Sequence, residues 1–415
     1  MRVLYEWLIR LYGLILRLAA GFHPRARAWA EGRRSWEAGF HGLPGSGRRI
    51  WMHCASLGEF EQGRNLLDAL RARHPDAMLL VTFFSPSGFE VRRDYPAASR
   101  VAYLPLDTRR NVRRVLDLVQ PDLVIFVRYE FWFNLLWELD RRQIPAVLIA
   151  ARLRPGHAYL SPWLRPAFAD ACRAYRRVFA QDAFTEAAFA SLCGPDRTEQ
   201  CADTRYDRVA ANRDTPWTDE AAAQLRAGRF CLVGGSVWPP DVELILEAWA
   251  RLREQLPLAL ILAPHEIHPE EIGRWIARFP EESIRYSERA GLGPQHRILW
   301  VDNIGLLARL YRYADAAWVG GAFGTGLHNV LEPAAYGCPV FFGPRWQRFP
   351  EAGELIAAGG AQSIGSAEAL AGRLAAWATD PEPLAGIRRI NEQHIQSRTG
   401  ATARMLAWMT GQGLA

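Results

Sequence analysis

The sequence contains no lysine, so all 50 of its basic residues are arginine. Schiff-base chemistry through a lysine amine is therefore excluded, and any phosphate contact must come from arginine, histidine or the backbone. Cysteine is scarce as well: six residues are scattered along 415 positions without a CxxC pair. This usage is typical of small buried residues in a reducing compartment rather than of disulfides or a zinc site.

The basic charge is concentrated in the first half of the chain. Residues 1–200 hold 29 arginines against 20 acidic residues, and residues 201–415 hold 21 against 24, so +9 and −3 make up the net +6. A basic half indicates an acidic partner or an anionic membrane surface. An undirected, solvated surface is the alternative, and composition alone does not separate the two.

One apolar stretch, residues 3–22, is interrupted by charged residues. Charges of this kind are costly in a transmembrane helix, and they break the apolar region that a signal peptide needs. The polar positions are three or four residues apart, so they form one narrow stripe on an otherwise apolar helix. The stripe consists of Arg2, Glu6, Arg10, Gly13 and Arg17. An interfacial helix fits this pattern best, and a helix that caps a soluble core is the alternative.

From Ile50 onward, short apolar runs alternate with helical stretches, which is typical of a parallel, doubly wound sheet. The strands predicted in the first half are Ile50–Cys54, Met78–Phe83, Leu123–Val127, Ala146–Ile149 and Arg177–Ala180. Those predicted in the second half are Phe230–Gly234, Ala259–Ala263, Arg297–Val301, Ala316–Val319 and Val340–Phe342. The sequence thus predicts an α/β fold of two Rossmann-like halves that face a cleft, with ligands at the carboxyl ends of the strands.

The stretch Gly320–Pro333, GGAFGTGLHNVLEP, combines four glycines with the start of a predicted helix. Glycines leave room for a ligand against the main chain, and a helix from about His328 to Tyr336 would offer its N-terminus to a phosphate. Asn329 and Glu332 share one face of that helix, where the carboxylate suits a ribose diol rather than a phosphate. A loop that only turns the chain is the alternative.

Small and charged residues also follow the strands of the first half. Glu59 lies where the first strand turns into a helix, and it is either a general base for a hydroxyl nucleophile or a helix cap. Glu130 follows a later strand, where it would brace this base, bind the hydroxyl groups of an acceptor, or cap its helix. The other candidates at these turns are Ser56, Gly58, Ser85, Ser87, Gly88 and Arg152.

Seven motifs together carry a resemblance to a known family: ASLGE, FxSPSG, YEFWFN, AARL, GGSVWPP, DNIG and HNVLEP. The chain resembles the bacterial transferases of 3-deoxy-D-manno-octulosonic acid (Kdo) in lipopolysaccharide assembly, along nearly its whole length. The resemblance implies a GT-B fold and transfer of Kdo from CMP-Kdo to a lipid A precursor. It places the enzyme as a peripheral or monotopic protein at the cytoplasmic face of the inner membrane, against an anionic surface. Neither a nucleic acid partner nor a cofactor is expected, and without a carboxylate cluster we expect a metal-independent reaction.

Site residues follow from the same resemblance. Glu59 matches the family's catalytic base. The predicted CMP contacts are Pro264, His265, Ile304, Gly305, Leu306, Asn329, Val330, Leu331 and Glu332. Many members have Pro-Arg-His where this chain has Pro264-His265-Glu266, so an arginine near the CMP phosphate is missing. Many also have Met-Gly-Glu in place of Ile304–Leu306, and TELWPN in place of YEFWFN.

The implied domain plan has five segments. An N-terminal membrane-associated helix with a basic segment spans 1–34, and a Rossmann-like acceptor domain spans 35–205. A linker covers 206–217, a CMP-Kdo-binding domain covers 218–385, and a C-terminal helix over 386–415 returns toward the first domain. Two other functions stay open from the residues: a GT-B transferase or epimerase acting on a UDP-sugar, and a non-catalytic protein that binds at a membrane surface.

Overall fold

The computed structural model describes residues 1–44, 47–128, 130–157, 160–324 and 326–414. Tyr129 of the YEFWFN motif and Thr325 of the glycine-rich stretch lie outside the described residues. The chain divides into two compact units, Met1–Asp207 with Gly400–Ala415, and Arg208–Thr399. Each unit contains one seven-stranded sheet whose described strand pairs are all parallel. The predicted α/β class with two Rossmann-like domains is therefore confirmed.

The sheet of the first unit has the strand order β3-β2-β1-β4-β5-β6-β7. Its strands are β1 (Arg49–Cys54), β2 (Met78–Phe83), β3 (Arg100–Tyr103), β4 (Leu123–Val127), β5 (Ala146–Ala151), β6 (Tyr175–Ala180) and β7 (Thr198–Gln200). Its helices are α1 (Arg2–Ala19), α2 (Pro24–Glu31), α3 (Leu57–Arg73), α4 (Pro86–Arg92), α5 (Arg109–Val119), α6 (Phe133–Arg141), α7 (Arg165–Cys172) and α8 (Ala183–Cys193). Helix α9 (Thr204–Asp214) crosses the boundary between the units.

The sheet of the second unit has the strand order β10-β11-β9-β8-β12-β13-β14. Its strands are β8 (Phe230–Val237), β9 (Leu258–Pro264), β10 (Ser283–Arg285), β11 (Ile298–Trp300), β12 (Ala316–Val319), β13 (Val340–Phe342) and β14 (Ala361–Ser363). Its helices are α10 (Glu220–Arg226), α11 (Pro239–Leu252), α12 (Pro269–Ile276), α13 (Leu307–Leu310), α14 (Leu331–Ala335), α15 (Pro350–Ala358), α16 (Ala367–Thr379) and α17 (Glu382–Gln396). A last helix, α18 (Ala401–Gly411), belongs to the first unit.

Apolar side chains cover both faces of each sheet. Strands β2, β4 and β5 are buried along their whole length, which explains their apolar sequences, in which Thr82 of β2 is the one polar residue. Helices α5 to α8 pack on one face of the first sheet, while α3 and α18 pack on the other. The core therefore covers both faces of each sheet, and the polar turns lie at the ends of the strands.

Two predictions about helices need correction. The predicted linker, 206–217, contains the boundary between the two units, after Asp207, and most of it is helix α9, in which Tyr206 and Val209 are buried at helical spacing. The predicted C-terminal helix, 386–415, is two helices, since Gly400 has a φ of 98° between α17 and α18. The helix predicted from His328 begins only at Leu331, so no helix N-terminus is offered at His328 and Asn329.

The polar stripe of α1 contacts the protein through Glu6 and Gly13, while its arginines are exposed. Tyr5 donates a hydrogen bond to Asp107 at 2.7 Å, and Glu6 accepts one from the Asn134 side chain at 2.9 Å. Gly13 is buried, and a Cβ there would lie 2.4 Å from Leu106 Cδ2. Seven apolar residues of the opposite surface are between 52% and 68% exposed: Leu4, Trp7, Leu8, Leu11, Leu14, Ile15 and Leu18. Among the described residues, no helix is long and apolar enough to cross a membrane.

Candidate active site

Each sheet has one point where the strand order reverses, and ligands of doubly wound folds bind at the carboxyl ends of such strands. In the first unit β1 pairs with β4, and the chain continues from β1 to β2 on one side and from β4 to β5 on the other. In the second unit β8 and β12 are paired in the same way. The turns that follow these four strands contain Glu59, Glu130, Trp238 and the glycine-rich stretch.

Glu59 lies in the first turn of α3 and is half-buried. The hydroxyl of Ser56, the residue at the N-cap position, donates a hydrogen bond to the Glu59 carboxylate. Ser56 makes no side-chain cap of α3, and among the described residues no backbone N–H donates to the Glu59 side chain. The structure therefore does not support the helix-cap interpretation. A carboxylate that is oriented by a hydrogen bond and accessible to solvent can accept a proton. Gly58, beside it, is exposed.

Glu130 is buried, with 5% of its surface exposed. Its carboxylate accepts a hydrogen bond from Trp132 Nε1 and lies 3.4 Å from His53 Nε2. His53 is fully buried, and its other ring nitrogen is 2.8 Å from Thr82 Oγ1. The Tyr175 hydroxyl donates to the Glu130 backbone carbonyl at 2.5 Å. These contacts fix the Glu130 turn and leave its carboxylate without a direct contact to Glu59.

The two carboxylates nevertheless share one neighbourhood. Glu130 lies 3.4 Å from His53 of β1, and burial raises the pKa of the thiol of Cys54, the last residue of this strand, well above the usual range. The negative charges of Glu130 and Glu59 raise that pKa further, in this order of size. The structure therefore brings both predicted carboxylates to the carboxyl end of β1.

The turn after β2 packs against the turn after β1. The Ser85 N–H donates to the Ala55 carbonyl at 2.7 Å, and the Ser85 and Ser87 hydroxyls are 2.9 Å apart. Gly88 is buried, and a Cβ at this position would lie 3.1 Å from the Leu57 nitrogen and 2.3 Å from a Phe83 ring carbon. Gly88 is thus a packing requirement, whereas Ser85 and Ser87 present hydroxyls to the site.

Arg152 follows β5 at the same edge of the sheet and is half-buried. In the part of the chain that the structure describes, no hydrogen bond or ion pair joins it to Glu59 or Glu130. The nearest buried cation to the turn after β2 is instead Arg33, which the sequence analysis did not select. Its guanidinium donates to the Phe84 carbonyl at 2.6 Å and to the Leu104 carbonyl at 2.8 Å. Burial lowers the pKa of Arg33 to about 9.

In the second unit, the turn after β8 packs directly on the glycine-rich stretch after β12. A Cβ on Gly320 would lie 2.2 Å from the Ser236 carbonyl oxygen, so only glycine permits this approach. Asp241, in the first turn of α11, holds the two turns together. Its fully buried carboxylate accepts from Trp238 N at 2.9 Å, Gly321 N at 3.0 Å and the Trp318 indole at 3.0 Å. Burial raises the pKa of Asp241, and these three hydrogen bonds oppose that rise.

Three aromatic side chains stack at this edge, and we call them the His265 stack: Trp238, His265 and His328. The His265 ring centroid is 4.7 Å from the Trp238 ring and 4.3 Å from the His328 ring, with an interplanar angle of 28° to each. The Trp238 indole also donates to His328 Nε2 at 3.0 Å. Burial, and to a lesser degree His265, lowers the pKa of His328 to about 4.

Asn329 and Glu332 are in contact, but they do not share a face of a helix as predicted, because Asn329 precedes α14. The Asn329 amide donates to a Glu332 oxygen at 3.0 Å, and its own oxygen accepts from Leu331 N at 3.2 Å. Burial raises the pKa of Glu332, opposed by the Asn329 hydrogen bond and by the charge of Arg208. Val330 and Leu331 are fully buried, so their side chains belong to the core and only their backbone can meet a ligand.

The remaining predicted contacts lie along the same edge. Pro264 ends β9 and is half-buried, while His265 directly after it is exposed. The turn after β11 presents Ile304, which is 92% exposed, and Gly305, whose φ is 97°. Leu306 precedes α13 and is half-buried. Strand β9 separates β11 from β8, and no hydrogen bond between described residues joins this turn to Glu332.

Several residues of the site were missed by sequence reasoning. Trp238 lies in the GGSVWPP motif, but the sequence analysis assigned it no role. Asp241 follows Trp238 by three residues, a spacing that favours an acid in the first turn of a helix. His53 gave no signal at all, because one histidine in a buried strand has no pattern. No group of three or more His, Cys, Asp or Glu residues within the described ranges could hold a metal ion. The metal-independent reaction stays a prediction.

Known proteins resemble the chain in sequence and in fold. Residues 27–208 match the family model described as 3-deoxy-D-manno-octulosonic-acid transferase (kdotransferase). A 3-deoxy-D-manno-octulosonic acid transferase of Haemophilus influenzae is 27% identical, with 86% of this chain and 85% of that protein covered. One from Chlamydophila psittaci is 30% identical, with 77% and 75% covered.

Among solved structures, a UDP-GlcNAc 2-epimerase of Neisseria meningitidis bound to UDP-GlcNAc is similar with a TM-score of 0.60 at 12% identity, covering 87% of this chain and 99% of that one. At this identity the likeness shows the fold alone, and the fold agrees with the predicted GT-B class. The relatives in sequence cover most of both chains. The chain therefore belongs to the 3-deoxy-D-manno-octulosonic acid transferase family of glycosyltransferases.

Proposed function

We propose that this enzyme transfers Kdo from CMP-Kdo to a hydroxyl group of a lipid A precursor, with Glu59 as the general base. The observation that carries the proposal is the position of Glu59. It stands at the carboxyl end of β1, where the strand order reverses, and it is the half-buried carboxylate of this edge, whereas Glu130 is enclosed. A base must reach the proton that it removes, and Glu59 meets this requirement better than Glu130 does.

The reaction would be a direct displacement. The acceptor oxygen attacks the anomeric carbon of Kdo while Glu59 takes the hydroxyl proton, and the bond from that carbon to the phosphate oxygen breaks. CMP leaves as a phosphomonoester. Ser56, whose hydroxyl donates to Glu59, would orient the carboxylate. Glu130 would act indirectly, because its contacts to Trp132 and His53 hold the turn that follows β4.

CMP would bind along the second sheet's carboxyl edge. Glu332 has one oxygen on Asn329, and its carboxylate would accept hydrogen bonds from the ribose diol. The phosphate would meet the glycine-rich stretch, His265 and His328, because Gly324 of this stretch is exposed and a Cβ there would have no neighbour within 4 Å. A five-residue helix at Leu331 gives little dipole, so side chains and loop N–H groups would carry this contact.

The acceptor is an anionic, acylated lipid in this proposal, so the enzyme must work at a membrane surface. Helix α1 supports this, because Tyr5 and Glu6 hold it to the protein while seven large apolar residues are exposed. Next to it, α5 presents four exposed arginines, Arg109, Arg110, Arg113 and Arg114. Apolar insertion combined with a basic surface is the usual pairing for an anionic bilayer, and we propose the cytoplasmic face of the inner membrane.

The test is incubation of the purified enzyme with CMP-Kdo and a tetraacylated lipid A precursor, followed by mass spectrometry of the lipid. We expect a lipid heavier by Kdo and the release of CMP. UDP-N-acetylglucosamine in place of CMP-Kdo tests the epimerase alternative, for which the product would appear without an acceptor. Release of CMP without a modified lipid would contradict the proposed acceptor, and no turnover of CMP-Kdo under any condition would contradict the proposed donor.

A further inference from the structure

The hydrogen bond inside the His265 stack fixes where a proton sits. An indole N–H can only donate, so Trp238 Nε1 at 3.0 Å from His328 Nε2 requires a lone pair on that nitrogen. A neutral imidazole has one protonated nitrogen, and the proton of His328 must therefore be on Nδ1. Among the described residues, Nδ1 has no protein hydrogen-bond partner. His328 thus offers a free N–H donor.

The neutral state of His328 has a physical cause as well. The ring is part-buried, and the His265 ring stacked on it at 4.3 Å adds a second group that would repel a positive charge. Both effects lower the pKa of His328 to about 4. Near neutral pH the side chain is then an uncharged donor whose direction is set by its neighbour, not a cation.

The glycine-rich stretch receives no donors from a helix N-terminus at His328, because α14 begins only at Leu331. His328 stands in the glycine-rich stretch after β12, and its N–H donates to the Gly320 carbonyl at 3.2 Å, which ties it to the strand end. A side-chain donor held here would belong to the same stretch as Gly324, whose main chain is exposed.

We propose that Trp238 is a positioning residue that holds His328 as the Nδ1–H tautomer, so that His328 donates a hydrogen bond to the phosphate of the nucleotide sugar. The proposal rests on the proposed function, which assigns the nucleotide to this turn. Trp238 itself touches neither the phosphate nor the reacting atoms in this account. It acts through the direction of one hydrogen bond.

The tautomer can be measured without any nucleotide. In protein labelled with ¹⁵N-histidine, long-range ¹H–¹⁵N correlation spectra report which ring nitrogen is protonated, and the His328 signals are those that disappear in His328→Asn. We expect the Nδ1–H tautomer in the wild type and a shift toward Nε2–H in Trp238→Phe, which keeps a ring but loses the indole N–H. An Nε2–H tautomer in the wild type would overturn the proposal, and so would an unchanged tautomer in Trp238→Phe.

CMP affinity, measured by calorimetry, tests the role of the donor. The loss of one neutral hydrogen bond is worth about a tenfold change, so Trp238→Phe should bind CMP about tenfold more weakly. The Asn side chain places its amide nitrogen near the position of Nδ1, whereas Gln places it near Nε2. His328→Asn should therefore keep affinity within about threefold, and His328→Gln should lose about tenfold. Tighter binding by the Gln variant than by the Asn variant would overturn the proposal.

Trp300→Phe is the matched control. Trp300 is buried in the same unit, and its indole N–H has no hydrogen-bond partner within the described residues. This substitution should change neither the His328 tautomer nor CMP affinity. If it weakens CMP binding as much as Trp238→Phe does, the effect of Trp238→Phe comes from disturbed packing and not from the lost indole N–H. A wild type that does not bind CMP would refute the proposed donor site. Normal CMP binding with the other tautomer would refute this inference alone.

Discussion

Asp107 connects the N-terminal helix to the Glu130 turn, and its removal should loosen both. The carboxylate is 2% exposed and accepts hydrogen bonds from the Tyr5 hydroxyl at 2.7 Å, Asn134 N at 3.0 Å and Leu135 N at 3.0 Å. Asn134 and Leu135 belong to the first turn of α6, whose own N-cap residue, Trp132, makes no side-chain cap. Asp107 is therefore the cap of α6, a role that the sequence analysis left open for Glu130.

The magnitude follows from what Asp107→Ala would leave behind. Two buried backbone donors lose their acceptor, and each unsatisfied buried donor costs about 1–3 kcal/mol. We therefore expect the free energy of opening of the first turn of α6 to fall by about 3 kcal/mol, which corresponds to about a hundredfold larger population of the opened turn. Because Trp132 and Glu130 directly precede α6, transfer activity should fall as well.

Hydrogen–deuterium exchange with mass spectrometry is the assay, since it resolves peptides from α1 and α6 separately. Asp107→Ala should exchange faster in both helices, while peptides of the second unit stay unchanged. Asp117→Ala is the control, because Asp117 makes an exposed ion pair with Arg142 at 2.7 Å, and such pairs contribute about 0–1 kcal/mol. Unchanged exchange at the start of α6 in Asp107→Ala would refute the reasoning.

Two other predictions concern the nucleotide and the membrane. Glu332→Ala should weaken CMP binding by about 1–3 kcal/mol in calorimetry if its carboxylate accepts ribose hydroxyls, and unchanged affinity in a folded variant would return Glu332 to a structural role. Replacing Trp7 and Leu11, which are 68% and 52% exposed, with serine should reduce sedimentation with anionic vesicles without lowering the melting temperature. A lower melting temperature with unchanged vesicle binding would contradict an interfacial role for α1.

Deletion of residues 1–22 should affect more than membrane attachment. These residues do not form a detachable anchor, because Tyr5 and Glu6 take part in hydrogen bonds with Asp107 and Asn134. We expect a deletion to expose Asp107 and to impair transfer even to a detergent-dispersed acceptor, whereas the surface substitutions at Trp7 and Leu11 separate membrane attachment from folding.

The central strands of both sheets were predictable from sequence, and the edge strands were not. Leu123–Val127 and Ala316–Val319 have the predicted bounds, because a strand covered on both faces needs an uninterrupted apolar run. The four strands without a prediction lie at the four sheet edges: Arg100–Tyr103, Thr198–Gln200, Ser283–Arg285 and Ala361–Ser363. An edge strand has one neighbour and is less covered, as the half-buried residues of β14 show, so three or four mixed residues suffice.

The site was predictable where a residue's role depends on its local turn. Glu59, at the start of a helix, and the Asn329–Glu332 pair could be read from spacing within a few residues. The role of Asp107 and the contact of Asp241 with Gly321 could not, since these partners lie 27 and 80 positions further along the chain. These contacts depend on which strands are neighbours in the sheet, and no single segment of the sequence specifies the strand order.

The most direct test of the account is the rate of Kdo transfer by Glu59→Gln. The amide keeps the size of the side chain and can still contact Ser56, but it does not accept a proton, and loss of a general base costs about 10²–10⁴-fold. Glu61→Gln is the matched control, because Glu61 lies on the same helix and pairs with Arg92 at 2.7 Å, away from the proposed chemistry. The account predicts a loss of that size for Glu59→Gln, with CMP affinity unchanged and near-normal transfer by Glu61→Gln. Near-normal transfer by Glu59→Gln would contradict it.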